Sequence, residues 1–113
     1  MLDKAWVENF NGGVTISDCE GNIIYLNEKA CQIWENNGGA ALVGRNLLDC
    51  HPEPAKSMLA NMLKKQISNC YTIDKNEIKK LIYHTPLYDE DGRYAAFAEL
   101  IIELPANFKN FVR

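Results

Sequence analysis

The sequence has 113 residues, a length that suits one domain with one hydrophobic core. Hydrophobic residues make up 47% and charged residues 24%, which is typical of a globular protein and excludes a disordered tail. The net charge of −3 comes from interspersed acids and bases, so the sequence predicts no binding to nucleic acid.

The first elements in chain order are a short helix and a β-hairpin. Apolar residues at helical spacing predict a helix over residues 2–10, which is short enough to need docking on the rest of the domain. Alternating patterns predict strands over Gly13–Ser17 and Ile23–Leu26. The turn between them, Asp18-Cys19-Glu20-Gly21-Asn22, suits a type I turn with Gly21 at positive φ.

The middle of the chain predicts helices around an irregular segment. Asn27 is placed to cap a helix that ends at Asn36-Asn37-Gly38-Gly39. Residues 40–53 mix apolar residues with glycine, asparagine and proline, which predicts one or two helical turns joined by irregular backbone. Such segments often line sites. From Pro54 to residue 67 the apolar residues follow the 3.6 period, which predicts the longest helix.

The last third of the chain predicts three strands, over residues 70–74, 77–88 and 93–104, with a tight turn at Asp89-Glu90-Asp91-Gly92. The last strand is apolar on both faces, which is typical of a central strand covered on both sides. The helices would cover one face. The N-terminal helix, a tail with Phe108 and Phe111, or a second subunit would cover the other, so a homodimer or attachment to a larger chain is predicted.

The order of these elements resembles a PAS domain. The resemblance covers residues 10–105 and includes Asp-Cys-Glu-Gly-Asn-Ile-Ile-Tyr-Leu-Asn at 18–27, Gly44-Arg45, and Pro-Leu-Tyr-Asp-Glu-Asp-Gly at 86–92. It implies an α+β fold with a five-stranded antiparallel sheet in the order 2-1-5-4-3, and short helices plus one longer helix on one face. We expect a flanking helix at 1–10, the PAS-like domain at 11–105, and a tail or linker to an output domain at 106–113.

The resemblance implies a sensory or dimerisation module in signal transduction, such as two-component or diguanylate cyclase regulation, and no enzymatic activity. A small-molecule ligand would lie between the sheet and the long helix, and no particular cofactor is implied. Flavin photosensors of the LOV type carry a cysteine directly after Gly-Arg-Asn. Here Leu47 follows Gly44-Arg45-Asn46 and Cys50 comes three residues later, which argues against flavin photochemistry.

The candidate ligand-binding residues follow from an expected register. If Gly92 forms a bulge, Ile82 and His84 share a face with Ala96 and Ala98. These small side chains leave volume that core residues or a ligand would fill. The candidate set is Trp34, Leu48, His51, Met58, Met62, Ile82, His84, Ala96 and Ala98. For the two methionines, ordinary core packing is the favoured interpretation.

Alternative functions rest on individual residues. His51 or His84 could ligate haem iron in a gas or redox sensor, although for His51 a helix cap or a backbone hydrogen bond is favoured. A small curved-sheet enzyme of isomerase or thioesterase type would need Glu99 or Asp49 as its acid, and Glu99 is expected on the other face of the sheet. The acids at 89–91 lack the spacing of a calcium loop, so they predict a solvated turn and no metal site.

The sequence also predicts where the protein resides. No apolar run approaches the length of about 20 residues that spans a bilayer, and the first residues do not open a signal peptide. The four cysteines are scattered without a metal-binding or disulfide pattern, so they are expected to be reduced thiols, mostly packed as small hydrophobes. A cytoplasmic location without membrane insertion is predicted.

Overall fold

In a computed structural model, which describes residues 5–113, helices and strands follow the predicted order. The helices are α1 (Ala5–Glu8), α2 (Glu28–Ile33) and α3 (Ala55–Lys65). The strands are β1 (Gly13–Ser17), β2 (Ile23–Leu26), β3 (Asn69–Lys75), β4 (Ile78–Tyr88) and β5 (Tyr94–Leu104). Two 3₁₀ turns, Gly39–Leu42 and Leu47–Cys50, lie in the predicted irregular segment. A third, Glu35–Asn37, lies at the predicted end of the preceding helix. The part of the N-terminal helix predicted over residues 2–4 lies outside the described residues.

The five strands form one antiparallel sheet in the order β2-β1-β5-β4-β3. The α+β fold class and the strand order that the sequence implied are therefore confirmed. β5 lies between β1 and β4, as its two apolar faces predicted. Side chains of β5 therefore lie beside side chains of β1 on one edge and of β4 on the other.

The first hairpin closes as its turn residues predict. The Asp18 carboxylate accepts hydrogen bonds from the backbone N–H groups of Glu20 and Asn22, each at 2.9 Å. Gly21 adopts φ +92°, a backbone conformation that residues with a Cβ atom rarely adopt. These contacts hold the turn and set the start of β2.

Asn27 joins three elements at the centre of the fold. Its side chain is 0% exposed. Its Oδ1 accepts hydrogen bonds from the backbone N–H groups of Ala30 at 2.9 Å and Val14 at 3.0 Å. Its Nδ2 donates to the carbonyls of Val7 and Gly12, both at 2.9 Å. The predicted helix cap is confirmed, and the same amide also ties α1 and β1 to α2.

The buried residues form two clusters on the helical side of the sheet. Ile23, Leu26, Ala30 and Leu42 pack together beneath α2, and Leu59, Leu63 and Phe97 pack beneath α3. Leu47 contacts both clusters. The core is thus divided along the sheet, and the site described below lies where the two clusters meet.

The register between β4 and β5 differs from the predicted one. His84 lies opposite Glu99 and Thr85 opposite Ala98, and the shift occurs between Leu87 and Tyr88, which leaves Ala95 as the extra residue. Directly opposed residues share a face. The prediction that Ala96 and Ala98 share the face of His84 is therefore wrong, because a bulge at Ala95 places both alanines on the outer face.

The outer face of the sheet is apolar and only partly covered. Leu81, Tyr83 and Leu87 of β4 lie there beside Leu100 and Ile102 of β5, and all five are half-buried. Among the cysteines, Cys19 and Cys31 are half-buried thiols, whereas Cys50 and Cys70 are exposed thiols. Packing as small hydrophobes therefore holds for two of them. No helix within residues 5–113 has the length and apolar character needed to cross a membrane.

Candidate functional site

A cavity of about 230 Å³ lies between the helical side of the sheet and the segment from Trp34 to Leu59. Most of its wall is apolar. The apolar lining residues are Ile23, Leu26, Trp34, Leu42, Leu47, Leu59 and Phe97. Its polar lining residues are Thr15, Asn37, Arg45, His51, His84 and Glu99, with the Cys50 thiol beside them. A mostly apolar hollow with a few polar groups is the usual form of a small-molecule site.

The segment that carries Arg45 is fixed by pairing with β2. The Ile23 N–H donates to the Arg45 carbonyl and the Gly44 N–H donates to the Ile23 carbonyl, both at 2.8 Å. Gly44 adopts φ +95°, which a residue with a Cβ would find strained. The Asn46 amide donates to the Glu20 carbonyl at 3.1 Å. These bonds explain why Gly44-Arg45, a pair noted in the sequence, lies at the wall of the cavity.

The floor of the cavity is a polar row that crosses the sheet. Thr15 of β1 lies opposite Glu99 of β5, Glu99 opposite His84 of β4, and His84 opposite Asn69 of β3. Thr15 and His84 are buried at the residue level. Polar residues placed beneath two apolar clusters need partners, so this row is the most unusual feature of the core.

A second cavity of about 300 Å³ lies between α3 and β3. It shares His51, Leu59, His84 and Glu99 with the first cavity, and Met58, Met62 and Tyr71 complete much of its wall. Small-molecule sites in proteins occupy about 300–1,000 Å³. The first cavity therefore suits a compact ligand, and a larger one would extend into the second.

His84 and Glu99 form the central contact of the polar row. Nε2 of His84 and Oε2 of Glu99 lie 2.8 Å apart, with the two side chains 9% and 22% exposed. Since a carboxylate accepts, Nε2 carries the hydrogen. Nδ1 of His84 is enclosed and has no hydrogen-bond partner within residues 5–113. The imidazole is therefore held by one polar contact only.

Two aromatic rings flank the His84 imidazole. Phe97 is stacked at a centroid distance of 6.2 Å, and Tyr71 is tilted at 6.0 Å. Burial, followed by the nearby negative charge of Glu99, raises the pKa of the Tyr71 hydroxyl. The carboxylate thus acts electrostatically on the groups that line the second cavity as well as on His84.

His51 makes the backbone hydrogen bond that was favoured for it. Its Nδ1 lies 2.7 Å from the Leu47 carbonyl, so Nδ1 carries the hydrogen, and the Nε2 atom of the neutral ring is an acceptor. This bond closes the 3₁₀ turn Leu47–Cys50. The ring lines both cavities while it also has this structural role.

The predicted candidate residues divide into three groups. Five line a cavity: Trp34, His51, Met58, Met62 and His84. Leu48 packs against the Leu59 cluster and Ile82 is buried in the sheet, and neither lines one of the two cavities. Ala96 and Ala98 lie on the outer face and are removed from the set.

Several lining residues were missed by the sequence reasoning. Glu99 was expected on the other face, and it lies instead at the centre of the polar row. Thr15 and Phe97 were not predicted to line a site, and Arg45 was noted only within the Gly44-Arg45 pair. The signal for Glu99 was present, since a charged residue in an otherwise apolar central strand is unusual, but the wrong register turned it outward.

Comparison with solved structures identifies the architecture. The PAS domain of BvgS from Bordetella pertussis superposes with a TM-score of 0.68 at 10% identity, covering 90% of this chain and 83% of that one. The fold is that of PAS domains. The Aer2 receptor from Vibrio cholerae, described as a dual PAS-heme oxygen sensor, matches with a TM-score of 0.61 at 21% identity, covering 88% of this chain and 99% of that one.

A sensory box sensor histidine kinase, also from Vibrio cholerae, matches this PAS fold with a TM-score of 0.60 at 16% identity, covering 90% of this chain and 89% of that one. No protein-family model matches the sequence. No curated protein matches it either. The PAS fold is thus established by three-dimensional likeness at low sequence identity.

Proposed function

We propose that this PAS-fold chain is a sensory module of a signal-transduction protein and binds a small molecule in the cavity above the polar row. The observation that carries the proposal is the cavity of about 230 Å³ in the core. Its floor contains His84 and Glu99, which are largely buried. Polar and charged side chains are seldom buried in a domain core. Ligand recognition accounts for the position of His84 and Glu99 beneath an open volume.

The structural neighbours support the signalling part of this proposal. They include domains described as parts of a sensor histidine kinase, of the Aer2 receptor and of the histidine kinase ThkA. The proposal therefore includes an output domain or partner joined through residues 106–113, with residues 1–10 as a flanking helix and 11–105 as the sensory domain. The reduced cysteines suit the cytoplasmic location predicted from the sequence.

Homodimerisation is part of the same proposal. The outer sheet face is apolar and only half-buried, and Trp6, Phe108 and Phe111 near the two ends are exposed by more than half. An apolar sheet face that is only partly covered often marks an interaction site. A second copy that packs on this face would cover it, and the cavity side would remain free for ligand.

Native mass spectrometry of the freshly purified chain tests the ligand and the dimer together. We expect a noncovalent adduct on the protein and a dimer peak. Thr15→Leu fills the cavity from β1 and should abolish the adduct, because the longer side chain occupies the volume above the polar row. Thr72→Leu is the matched control, since Thr72 is an exposed residue of β3.

Circular dichroism would show that both threonine variants remain folded. A chain that carries no adduct, and binds no member of a small-molecule library in a way that Thr15→Leu abolishes, would contradict the proposed ligand function. A strictly monomeric chain across the concentration range of the measurement would contradict the proposed dimer.

Haem binding is a second candidate function, and one observation favours it. His51 lines both cavities and its Nε2 is not used in a protein hydrogen bond within residues 5–113, which is the arrangement of a histidine oriented by its other nitrogen for metal ligation. His84 has no such nitrogen, since Nε2 binds Glu99 and Nδ1 is enclosed. Haem needs more volume than either cavity provides, so the two cavities would have to join.

A haem titration followed by absorbance tests this candidate. If His51 ligates haem, added haem produces a Soret band that His51→Ala removes and His84→Ala leaves in place. Two results eliminate haem as the ligand: an unshifted spectrum with the unaltered chain, or a Soret band that survives His51→Ala.

For the enzyme alternative, Glu99 is an acid in the cavity, but the described residues offer no nucleophile paired with a base there. Glu99 lies in the cavity, whereas Asp49 is exposed. One Glu99 oxygen holds His84, and His51 is bound through Nδ1 to backbone beside the exposed Cys50. Among the residues that line the two cavities, no hydrogen bond joins a nucleophile to a base, and that pairing is what nucleophilic catalysis requires. Binding is therefore the proposed role.

A further inference from the structure

We infer that the ligand is a small aromatic or similarly apolar molecule with a positively charged nitrogen head group that donates hydrogen bonds to Glu99 and Thr15. This inference rests on the proposed function and specifies the class of ligand. It follows from the charge state of the polar row, from the acceptors that remain free, and from the shape of the cavity.

The His84 and Glu99 pair carries a net negative charge. The hydrogen on Nε2 faces Oε2 at 2.8 Å. A second hydrogen on Nδ1 would be enclosed without an acceptor, and an unmade buried hydrogen bond costs about 1–3 kcal/mol. A neutral imidazole leaves only the Nδ1 lone pair enclosed without a partner, which costs less than enclosing the unpaired N–H of a cation. The pair therefore keeps the negative charge of the carboxylate in a mostly apolar cavity.

Two hydrogen-bond acceptors beside this charge, on Glu99 and Thr15, have no partner within residues 5–113. Oε2 of Glu99 accepts from His84, while Oε1 has no hydrogen-bond partner among residues 5–113. The Thr15 hydroxyl, on the adjacent strand directly opposite Glu99, is also without one in this range. A carboxylate oxygen and a hydroxyl oxygen side by side are suited to a head group with at least two N–H donors.

The remainder of the cavity wall also favours a bound cation. Trp34 and Phe97 add aromatic side chains to the wall of the cavity that Glu99 also lines, and aromatic rings favour a cation near their faces. Arg45 is the cationic group that lines the cavity, and its side chain is exposed, so solvent and salt screen its charge. A cation bound at the floor thus meets an uncompensated carboxylate and only a screened opposing charge.

The volume of the cavity limits the size of the ligand. An apolar cavity of about 150 Å³ is large enough to hold benzene. The cavity here has about 230 Å³, which accommodates one ring together with a planar head group. Benzamidine, benzoate and benzyl alcohol are therefore suitable probes, since they share the ring and differ in the charge and donors of the head group.

The test is a set of calorimetric titrations with these three probes. We expect benzamidine to bind at least about tenfold more tightly than benzoate, because a charge-assisted hydrogen bond contributes to binding and the like charge of benzoate opposes it. Glu99→Gln should weaken benzamidine by about tenfold and leave benzyl alcohol nearly unchanged, since glutamine can still accept from His84.

Glu103→Gln is the matched control, because Glu103 lies on the same strand and the same face but is exposed. It should leave all three affinities unchanged. Equal affinities for benzamidine and benzoate, or a benzamidine affinity that survives Glu99→Gln, would overturn the cation inference. Binding of benzyl alcohol that Thr15→Leu abolishes would, in that case, leave the proposed sensory cavity standing. If none of the three probes binds, the cation inference fails, while a native adduct that Thr15→Leu abolishes would still support the proposed sensory cavity.

Discussion

Replacing Asn27 with alanine is expected to destabilise the chain by about 4 kcal/mol, since a lost helix cap costs about 0.5–2 kcal/mol and each buried group left unpaired costs about 1–3 kcal/mol. The amide makes four hydrogen bonds, to Val7, Gly12, Val14 and Ala30. Water cannot replace them, because Asn27 is 0% exposed. Domains of this kind are stable by about 5–15 kcal/mol, so urea unfolding followed by circular dichroism should show a large shift of the midpoint.

Two further variants make this prediction specific. Asn27→Asp keeps the oxygen that accepts from Val14 and Ala30 but faces the carbonyls of Val7 and Gly12 with a second oxygen. We expect it to cost at least as much as alanine, about 4 kcal/mol or more, because the two carbonyl oxygens repel a buried carboxylate. Asn36→Ala changes an exposed asparagine, and surface changes usually stay within about 0.5 kcal/mol. If Asn27→Ala were as mild as Asn36→Ala, Asn27 would not be the residue that joins α1, β1 and α2.

Phe97→Ala is expected to destabilise the chain by about 3–5 kcal/mol, the range for removing a buried phenyl ring from a core. Phe97 is 2% exposed and is the largest fully buried side chain in residues 5–113. It packs on Leu59 and Leu63 and stacks on His84. Its removal would enlarge the ligand cavity and free one side of the imidazole, so thermal unfolding should show both lower stability and rescue by benzene.

Phe111→Ala provides the matched control for Phe97→Ala. The chemical change is identical, but Phe111 is 69% exposed, so its loss should change the unfolding free energy by about 0.5 kcal/mol or less. Benzene should stabilise the Phe97 variant and not the Phe111 variant. Equal destabilisation by the two substitutions would contradict the description of the core in which Phe97 separates α3 from the polar row.

The proposed ligand site and the proposed dimer surface use opposite faces of the same strand. Phe97 and Glu99 of β5 face the cavity, while Ala98 and Leu100 face outward. A change in the position of β5 on ligand binding would therefore reach the outer face directly. This geometry gives the proposed sensory module a short physical connection between the cavity and a partner.

Local patterns were sufficient to predict the elements of the fold. Asn27 at the start of α2 and Gly21 in the first turn have roles that depend on neighbours within a few residues. The helical period after Pro54 predicted α3, which ends at Lys65, two residues earlier than expected, with Gln66 in the left-handed conformation. The two-sided apolar pattern of residues 94–102 predicted that β5 is central, as it is.

Tertiary structure decided which side chains of β5 face the cavity. Because both faces of β5 are largely apolar, its pattern is nearly the same in two registers that differ by one residue, and periodicity could not choose between them. The choice was made by the bulge at Ala95, opposite Leu87 and Tyr88. That bulge turns Glu99 inward against His84 and sends Ala98 outward.

The sequence by itself thus determined the order of the elements, the turns of the first and last hairpins and the central position of β5, because each depends on local propensity or on average burial. The tertiary structure decided the strand register, and with it the polar row of Thr15, Glu99 and His84. The physical reason is that a one-residue shift exchanges every side chain between the two faces of a strand. In a strand that is buried on both sides, such a shift leaves the hydrophobic pattern almost unchanged.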